Sequence, residues 1–223
     1  MTKSLQRWLG ITGLIFVVLV VVSVFMVPSI PNSNASSAKL TAFYDSGHQA
    51  VLHIDGIVTV VAVVVGVFWF WYFRDWLIAT NPTSRRLATV SFGGALLFAA
   101  GGALAAGIYT TLGDASNTHP AVTTLQSLNY IQADLNNGLT GAGVAIFLAA
   151  LVVIVVRYRV LPAWLGWPWL LFVLASVVFG FVGMAGLALW LIATNIVIIR
   201  RAGIAEPARD GVARGASGIG LGR

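Results

Sequence analysis

Long apolar stretches constrain the fold of this chain more than any other feature of its sequence. Four of them are close to the roughly 20 residues that a helix needs to cross a hydrocarbon core of about 30 Å. They span residues 9–27, 50–73, 88–110 and 139–156. A fifth run, residues 166–199, is too long for one ordinary helix and short for two. The pattern predicts an all-α fold, a polytopic transmembrane helical bundle.

The composition indicates a membrane environment. Of the 223 residues, 58% are hydrophobic and 9% are charged, whereas a soluble domain carries about 25% charged residues. This composition excludes an ordinary cytosolic enzyme and a nucleic-acid-binding module. We therefore predict the lipid bilayer as a partner and no nucleic acid. The chain has no cysteine, which excludes disulfides, thiol chemistry and cysteine–metal sites.

The distribution of basic residues predicts the topology. Short cytoplasmic loops are enriched in Lys and Arg, and basic residues precede the first span, separate the second from the third, and follow the fourth. The loop at residues 111–137 has none. A single crossing over 166–199 would place Arg200, Arg201 and the tail arginines outside, whereas a tight hairpin around residues 183–186 keeps them inside. We predict six spans with both termini cytoplasmic, in a multi-pass protein of the bacterial plasma membrane.

The domain organisation follows from these spans. Residues 1–201 are predicted to form the six-span transmembrane helical domain. Residues 202–223 are rich in Gly, Ala and Arg, and we expect a disordered basic cytoplasmic tail there. The first apolar run is longer than the roughly 7–15 residues of a signal-peptide core, so it is predicted to be an uncleaved anchor.

Small residues recur at every fourth position of the third span. They are Ser91, Ala95, Ala99, Ala103 and Gly107. The fourth span repeats the pattern in Gly141, Ala145 and Ala149. Such stripes let helix backbones approach closely in lipid, so we predict that these two helices lie against each other or at the bundle centre. The alternative is a dimer seam, which leaves a homo-oligomer or a membrane protein partner open.

Aromatic residues cluster at the end of the second span and before the fifth. They are Trp69, Trp71, Tyr72, Trp76, Trp164, Trp167 and Trp169. Rings that combine an apolar body with a polar edge favour the membrane interface. The same residues would suit a cage for a ligand cation, but we predict an interfacial belt.

The segment that follows the fourth span carries a family resemblance. It starts at Arg157 and reads Arg-Tyr-Arg-Val-Leu-Pro-Ala-Trp-Leu-Gly-Trp, and the apolar run behind it closes with Arg200 and Arg201. A basic pair, Leu-Pro-x-Trp-Leu-Gly and a closing helical hairpin resemble the bacterial integral membrane proteins grouped as domain-of-unknown-function family 4386. The resemblance covers the last third of the chain. It implies six spans, and it implies no catalytic residue.

The candidate site lies on the predicted external side. The polar groups there include His48, His53, His119, Asp45, Asp55, Asp114 and Asp134. Asp55 is the one carboxylate inside an apolar span, where an isolated lipid-facing charge is costly. We therefore predict that Asp55 faces the bundle and meets a donor, with Asn136 and Asn137 of the fourth span at a similar depth. Our candidate ligand-binding residues are Asp55, His53, Asn136 and Asn137, although about 200° of helix rotation separates Asp55 from His53.

No catalytic signature selects a reaction. The sequence has no His-x-x-x-His or Glu-x-x-His spacing for a metal and no nucleophile elbow. We predict no cofactor and no catalytic residue, and the sequence assigns no metal site. It favours a non-enzymatic structural, accessory or sensing component that acts through an external polar face. Two alternatives stay open: a small-molecule or ion transporter that uses Asp55, and a membrane-embedded redox or metal enzyme subunit with an external His/Asp site.

Overall fold

The structure is a computed structural model that describes residues 3–27, 31, 35–45, 47–118, 121–166, 169, 171 and 180–204. Every regular element in this part of the chain is helical, which confirms the predicted all-α class. Four segments are long and apolar enough to cross a membrane: Ser4–Met26, Gln49–Thr80, Pro82–Gly113 and Val122–Tyr158. A multi-pass membrane protein follows from these helices.

Eight helices make up the described chain. They are α1 (Lys3–Met26), α2 (Ser37–Asp45), α3 (Gln49–Thr80), α4 (Arg85–Gly113), α5 (Ala115–Thr118), α6 (Val122–Asp134), α7 (Gly141–Tyr158) and α8 (Gly180–Ile204). A π-helical turn, Leu135–Thr140, joins α6 to α7 without a break. Short 3-10 turns lie at Pro82–Ser84 and Ala163–Leu165.

Three sequence predictions about these elements are wrong. The external segments expected to be loops contain α2, α5 and α6, so the fourth long helix begins at Val122 and not near residue 139. The predicted hairpin turn at residues 183–186 lies inside α8, which is continuous. Glycine is common within helices that cross lipid, so the glycines there do not mark a turn. The predicted tail starts at residue 202, but α8 continues to Ile204, so that bound is wrong, and the rest of the predicted tail, residues 205–223, lies outside the described residues.

The long helices pack side by side in antiparallel pairs. The ring of Phe16 on α1 lies over Gly66 on α3, and Thr110 on α4 lies beside Gly56. Helix α8 runs antiparallel to α1, because Ile199 near its end contacts Gly10. A buried side-chain bond fixes the same corner: the Trp69 indole Nε1 donates to Asn195 Oδ1 at 3.0 Å.

Glycines bring α4 and α7 into backbone contact, so these two helices do lie against each other. A Cβ placed on Gly94 would lie 2.6 Å from the Phe147 nitrogen and 2.8 Å from the Gly143 oxygen. The predicted small stripe takes part in this contact, because its member Ser91 donates its hydroxyl to the Phe147 oxygen of α7 at 3.4 Å. Its member Gly107 is exposed, and so is Ala149 of the stripe on α7. Turn-by-turn spacing identified the right helices and part of the contacting face, but not the glycines Gly94 and Gly143.

The two ends of the bundle differ in charge. One end, here called the basic end, contains the start of α1 and the ends of α3, α7 and α8. Its described basic residues are Lys3, Arg7, Arg74, Arg85, Arg86, Arg157, Arg159, Arg200 and Arg201. The other end is covered by α2, α5 and α6, which together are called the cap. Lys39 is the one basic residue of the cap among its described positions.

The aromatic residues divide between the core and the surface. Trp71 and Trp164 are both 53% exposed and fit the predicted belt. Trp69 and Trp76 are buried instead, and their rings stack with Phe73 between them. The belt prediction is therefore wrong for these two tryptophans, because their positions on α3 turn toward the other helices.

Candidate functional site

Asp55 occupies the inward face of α3 near the cap. Its neighbours Ile54 and Ile57 are 51% and 64% exposed, whereas Asp55 is 2% exposed. Helical rotation accounts for the difference, since residues one or two positions apart point to different sides. Gly56 lets Thr110 of α4 come close on the same side. The carboxylate is therefore inside the bundle and away from lipid.

Hydroxyl groups surround this carboxylate. Ser23 Oγ on α1 donates to Asp55 Oδ1 at 2.5 Å, and Ser23 Oγ lies 3.1 Å from Thr59 Oγ1 on α3. No lysine or arginine in the described part of the chain pairs with Asp55; the ion pairs found there join Arg74 to Asp75 and His53 to Asp114. Hydrogen bonding between α1 and α3 thus takes the place of a salt bridge.

A second polar link connects α4 to the cap helix α6. Gln132 Nε2 donates to the Tyr109 hydroxyl at 2.6 Å. This hydrogen bond therefore links a membrane-spanning helix to the cap.

The cap has its own buried centre. Tyr44 of α2 donates its hydroxyl to Asn129 Oδ1 on α6 at 3.3 Å, and Asn129 Nδ2 donates to the Pro31 oxygen at 3.2 Å. Tyr44 is 2% exposed, and burial raises the pKa of its phenol well above the usual range. An apolar cluster surrounds this pair: Leu40, Leu52, Leu112, Ala115 and Leu125. The cap is packed and hydrogen-bonded, as a folded layer would be.

The histidines lie on the outer rim of the site. His53 Nε2 is 3.2 Å from Asp114 Oδ1, without the alignment of a hydrogen bond. Gln49 Nε2 donates to the same Asp114 Oδ1 at 3.4 Å. The His48 ring stacks on Phe43 with centroids 4.5 Å apart, and its Nδ1 is 2.8 Å from the Phe43 oxygen. These contacts join α3 to α2 and to the α4–α5 junction.

The structure does not bring the predicted site residues to one point. Asp55 contacts α1, whereas His53 faces Asp114 beside α4. Asn136 and Asn137 belong to the π-helical turn, and their side chains lie outside the described part, as does His119. Single π turns occur often at functional sites, and this one ends at Thr140, which is buried and has no hydrogen-bond partner for its hydroxyl among the described residues.

Several polar partners were not singled out from the sequence. They are Ser23, Thr59, Tyr109 and Gln132. Ser23 carries a usable signal, because it is a rare hydroxyl inside an otherwise apolar span. The partners on other helices depend on how the helices rotate against each other, which spacing along one helix does not reveal.

The described residues contain no group of three or more His, Asp or Glu side chains placed to hold a metal ion. The hydroxyl, amide and carboxyl groups form separate hydrogen-bonded pairs, which join Ser23 to Asp55, Gln132 to Tyr109 and Tyr44 to Asn129. The last two pairs hold the cap together and connect it to the spans. No family model, curated protein or solved structure matches the chain.

Proposed function

We propose that this chain is a six-span protein of the bacterial plasma membrane, with both termini cytoplasmic, that works as a non-enzymatic structural, accessory or sensing component through its cap. We also propose its membership of domain-of-unknown-function family 4386, on the residues of the Leu161–Gly166 segment quoted above. The site consists of the cap and of the link from Gln132 to Tyr109 that joins it to α4.

The course of the chain supports six spans. Helix α7 ends at the basic end, and α8 ends there too, because Arg201 Nη1 donates to the Val160 oxygen at 2.8 Å. Helix α8 therefore starts near the cap, so α7 and α8 run in the same direction, as the fourth and the sixth of six spans would. The basic end suits the cytoplasm, since positive charge is retained on that side.

The observation that carries the functional proposal is the fixed cap. Two side-chain links, Tyr44 to Asn129 and Gln132 to Tyr109, tie α6 to α2 and to α4. A loosely attached loop would not need buried polar partners, because water would satisfy its groups. A packed outer layer offers a constant surface to a partner or ligand. A change in α6 also reaches α7 directly through the π turn.

Position-specific photocrosslinking in native membranes tests this function. A photoreactive residue at the exposed cap positions Thr123 and Ser127 should give a discrete protein adduct, and Thr83 at the basic end is the matched control. The adduct should disappear when Asn129→Leu removes the cap's buried amide. Absence of any cap-specific adduct, together with substrate flux in proteoliposomes, would overturn the accessory or sensing role.

One observation favours a second candidate, transport that uses Asp55. A buried carboxylate without a basic partner among the described residues is the kind of group that marks ion pathways in membranes. The test is ion flux into proteoliposomes by the whole protein and by the Asp55→Asn variant. If the protein transports ions through Asp55, the wild type should show flux and the Asp55→Asn variant should lose it while folding normally. Equal flux in the two proteins would exclude a role of Asp55 in transport.

A further inference from the structure

One exposed face of α1 changes from polar to apolar along the helix. Its members are Ser4, Arg7, Trp8, Ile11, Ile15, Val18 and Val22. Because successive helical residues are rotated by about 100° around the helix axis, these side chains all point within about 60° of one common direction. All of them are exposed, with Trp8 at 61% and Val18 at 59%.

The polar end of this face forms an open groove. Ser4, Arg7, Trp8 and Ile11 line it. Phosphate oxygens readily accept hydrogen bonds from a guanidinium group and from a hydroxyl group. The Trp8 indole, one position from Arg7, has the amphipathic shape that fits the level of the lipid headgroups and carbonyls.

Charge at the basic end favours an anionic occupant. Asp75 is the one acidic residue of this end among the described positions, and it is paired with Arg74 at 2.9 Å. Arg7 has no acidic partner in the described chain, so its charge is available to a phosphate. Basic residues near the membrane surface attract anionic lipids.

The apolar end has the length of one lipid chain. Ile11 and Val22 are about 16 Å apart along the helix axis, and half of a hydrocarbon core is about 15 Å. Side chains of Ile11, Ile15, Val18 and Val22 present a branched apolar surface over that distance. A headgroup at Arg7 therefore places an acyl chain directly against this surface.

We propose that this face of α1 binds one anionic phospholipid, with its phosphate at Arg7 and Ser4, its glycerol region at Trp8, and an acyl chain along Ile11, Ile15 and Val18. The site lies in the leaflet at the basic end. It goes beyond the role proposed for the cap, which is at the opposite end of the bundle, and each proposal stands if the other fails.

The test is the lipid that the intact protein retains. The protein is reconstituted in vesicles of phosphatidylglycerol and phosphatidylcholine, extracted in mild detergent, and analysed by native mass spectrometry. We expect wild type to keep a phosphatidylglycerol molecule in preference to phosphatidylcholine. The Arg7→Gln variant should lose most of this preference, at least several-fold, and Arg7→Lys should keep part of it. Excess inorganic phosphate should not displace the lipid, because the phosphate alone lacks the chain contact.

The matched control is Arg85→Gln, which removes the same charge from an exposed position of the same end on α4. It should leave lipid retention unchanged. Equal losses in Arg7→Gln and Arg85→Gln would mean a diffuse charge effect and would overturn the site, as would equal retention of both lipids by wild type. Far-ultraviolet circular dichroism of each variant shows whether it is folded, so that misfolding is not mistaken for lost binding. Trp8→Ala is a second variant, which removes the indole and leaves the charge of Arg7 intact.

Discussion

At the scale of single residues, the burial of Asp55 is the feature that needs a physical account. A charged carboxyl group at the centre of a spanning helix costs about 2.5–3.5 kcal/mol on insertion scales. Facing the bundle reduces that cost, and the hydroxyl of Ser23 supplies a hydrogen bond at 2.5 Å. The pair therefore specifies how α1 and α3 are rotated against each other.

Removing the Ser23 hydroxyl should weaken the bundle only while Asp55 can accept its hydrogen bond. We expect Ser23→Ala to cost about 0.6 kcal/mol and no more than about 1.7 kcal/mol, the average and the maximum measured for hydrogen bonds between membrane helices. Asp55→Asn should be close to wild type, since an amide oxygen still accepts. When Asp55 has already been replaced by Leu, Ser23→Ala should lower the stability much less. Thermal unfolding in detergent of the wild type, the two single variants and the double variant measures this difference.

Thr12→Ala is the control for that cycle. Thr12 is also a half-buried hydroxyl on α1, but it donates only to backbone oxygens of its own helix. Additive effects of the Ser23 and Asp55 substitutions would show that the two side chains do not interact.

Tyr44 should make the stability of the cap depend on alkaline pH. Because burial raises the pKa of its phenol in the folded protein, the unfolded chain releases the proton first, near the ordinary pKa of about 10. The stabilisation is therefore complete below about pH 10 and decreases as the pH rises further. Tyr44→Phe should be less stable by about 0.5–1.5 kcal/mol at neutral pH, because its bond to Asn129 is gone, and the gap should narrow at about pH 11.

Thermal midpoints of both proteins at the two pH values measure this effect. Tyr130→Phe serves as control, since Tyr130 is exposed at 45%. A gap between wild type and Tyr44→Phe that stays constant with pH would contradict the buried, neutral phenol.

At the scale of helices, α4 and α7 depend on two glycines that face each other. Gly94→Ala should separate the helices, because the new Cβ would lie 2.6 Å from the backbone nitrogen of Phe147. Overpacking of this kind costs about 1–3 kcal/mol. Gly93→Ala is the neighbouring control, as nothing lies within 4 Å of its Cβ position, and it should be neutral or slightly stabilising. Thermal unfolding of the two variants in detergent measures this difference. Equal stability of Gly94→Ala and Gly93→Ala would exclude a tight α4–α7 contact.

The sequence predicts where the helices lie along the chain better than it predicts which side of each helix contacts its neighbours. Apolar length alone identifies the four long helices, since each has to satisfy its backbone within itself to cross lipid. The position of a helix end is less well marked: α6 is polar enough to be taken for a loop, yet it continues into α7. Contacting faces depend on partner helices, which explains why the stripe through Ala99 and Ala103 was predicted and the contact at Gly94 was not.

At the scale of the whole molecule, the absence of cysteine makes the topology directly measurable. Single cysteines can be introduced at Ser127 in the cap and at Thr83 at the basic end, both exposed. We expect a membrane-impermeant thiol reagent to label Ser127→Cys in intact cells and Thr83→Cys only after the membrane is opened.

A reporter fused after Arg201 completes the test, because six spans place it in the cytoplasm. Labelling of the basic end from outside, or a reporter that is active outside, would contradict the six-span topology.

The candidate site was predictable in part. Sequence alone points to Asp55, because a lone acidic residue within an apolar span has few inexpensive environments. It does not assign the partner, since Ser23 comes from another helix, α1. The polar link from Gln132 to Tyr109 depends on α6 folding over the spans, which no local pattern encodes.

The division of aromatic residues has a spectroscopic consequence. The described tryptophans all lie between the middle of the bundle and its basic end: Trp8, Trp69, Trp71, Trp76, Trp164, Trp169 and Trp190. The apolar cluster of the cap is built without an indole. The fluorescence of these seven tryptophans therefore reports on one half of the described molecule, and they would still emit as if the protein were folded after the cap had detached. An indole added at an exposed cap position such as Thr123 would make that opening visible.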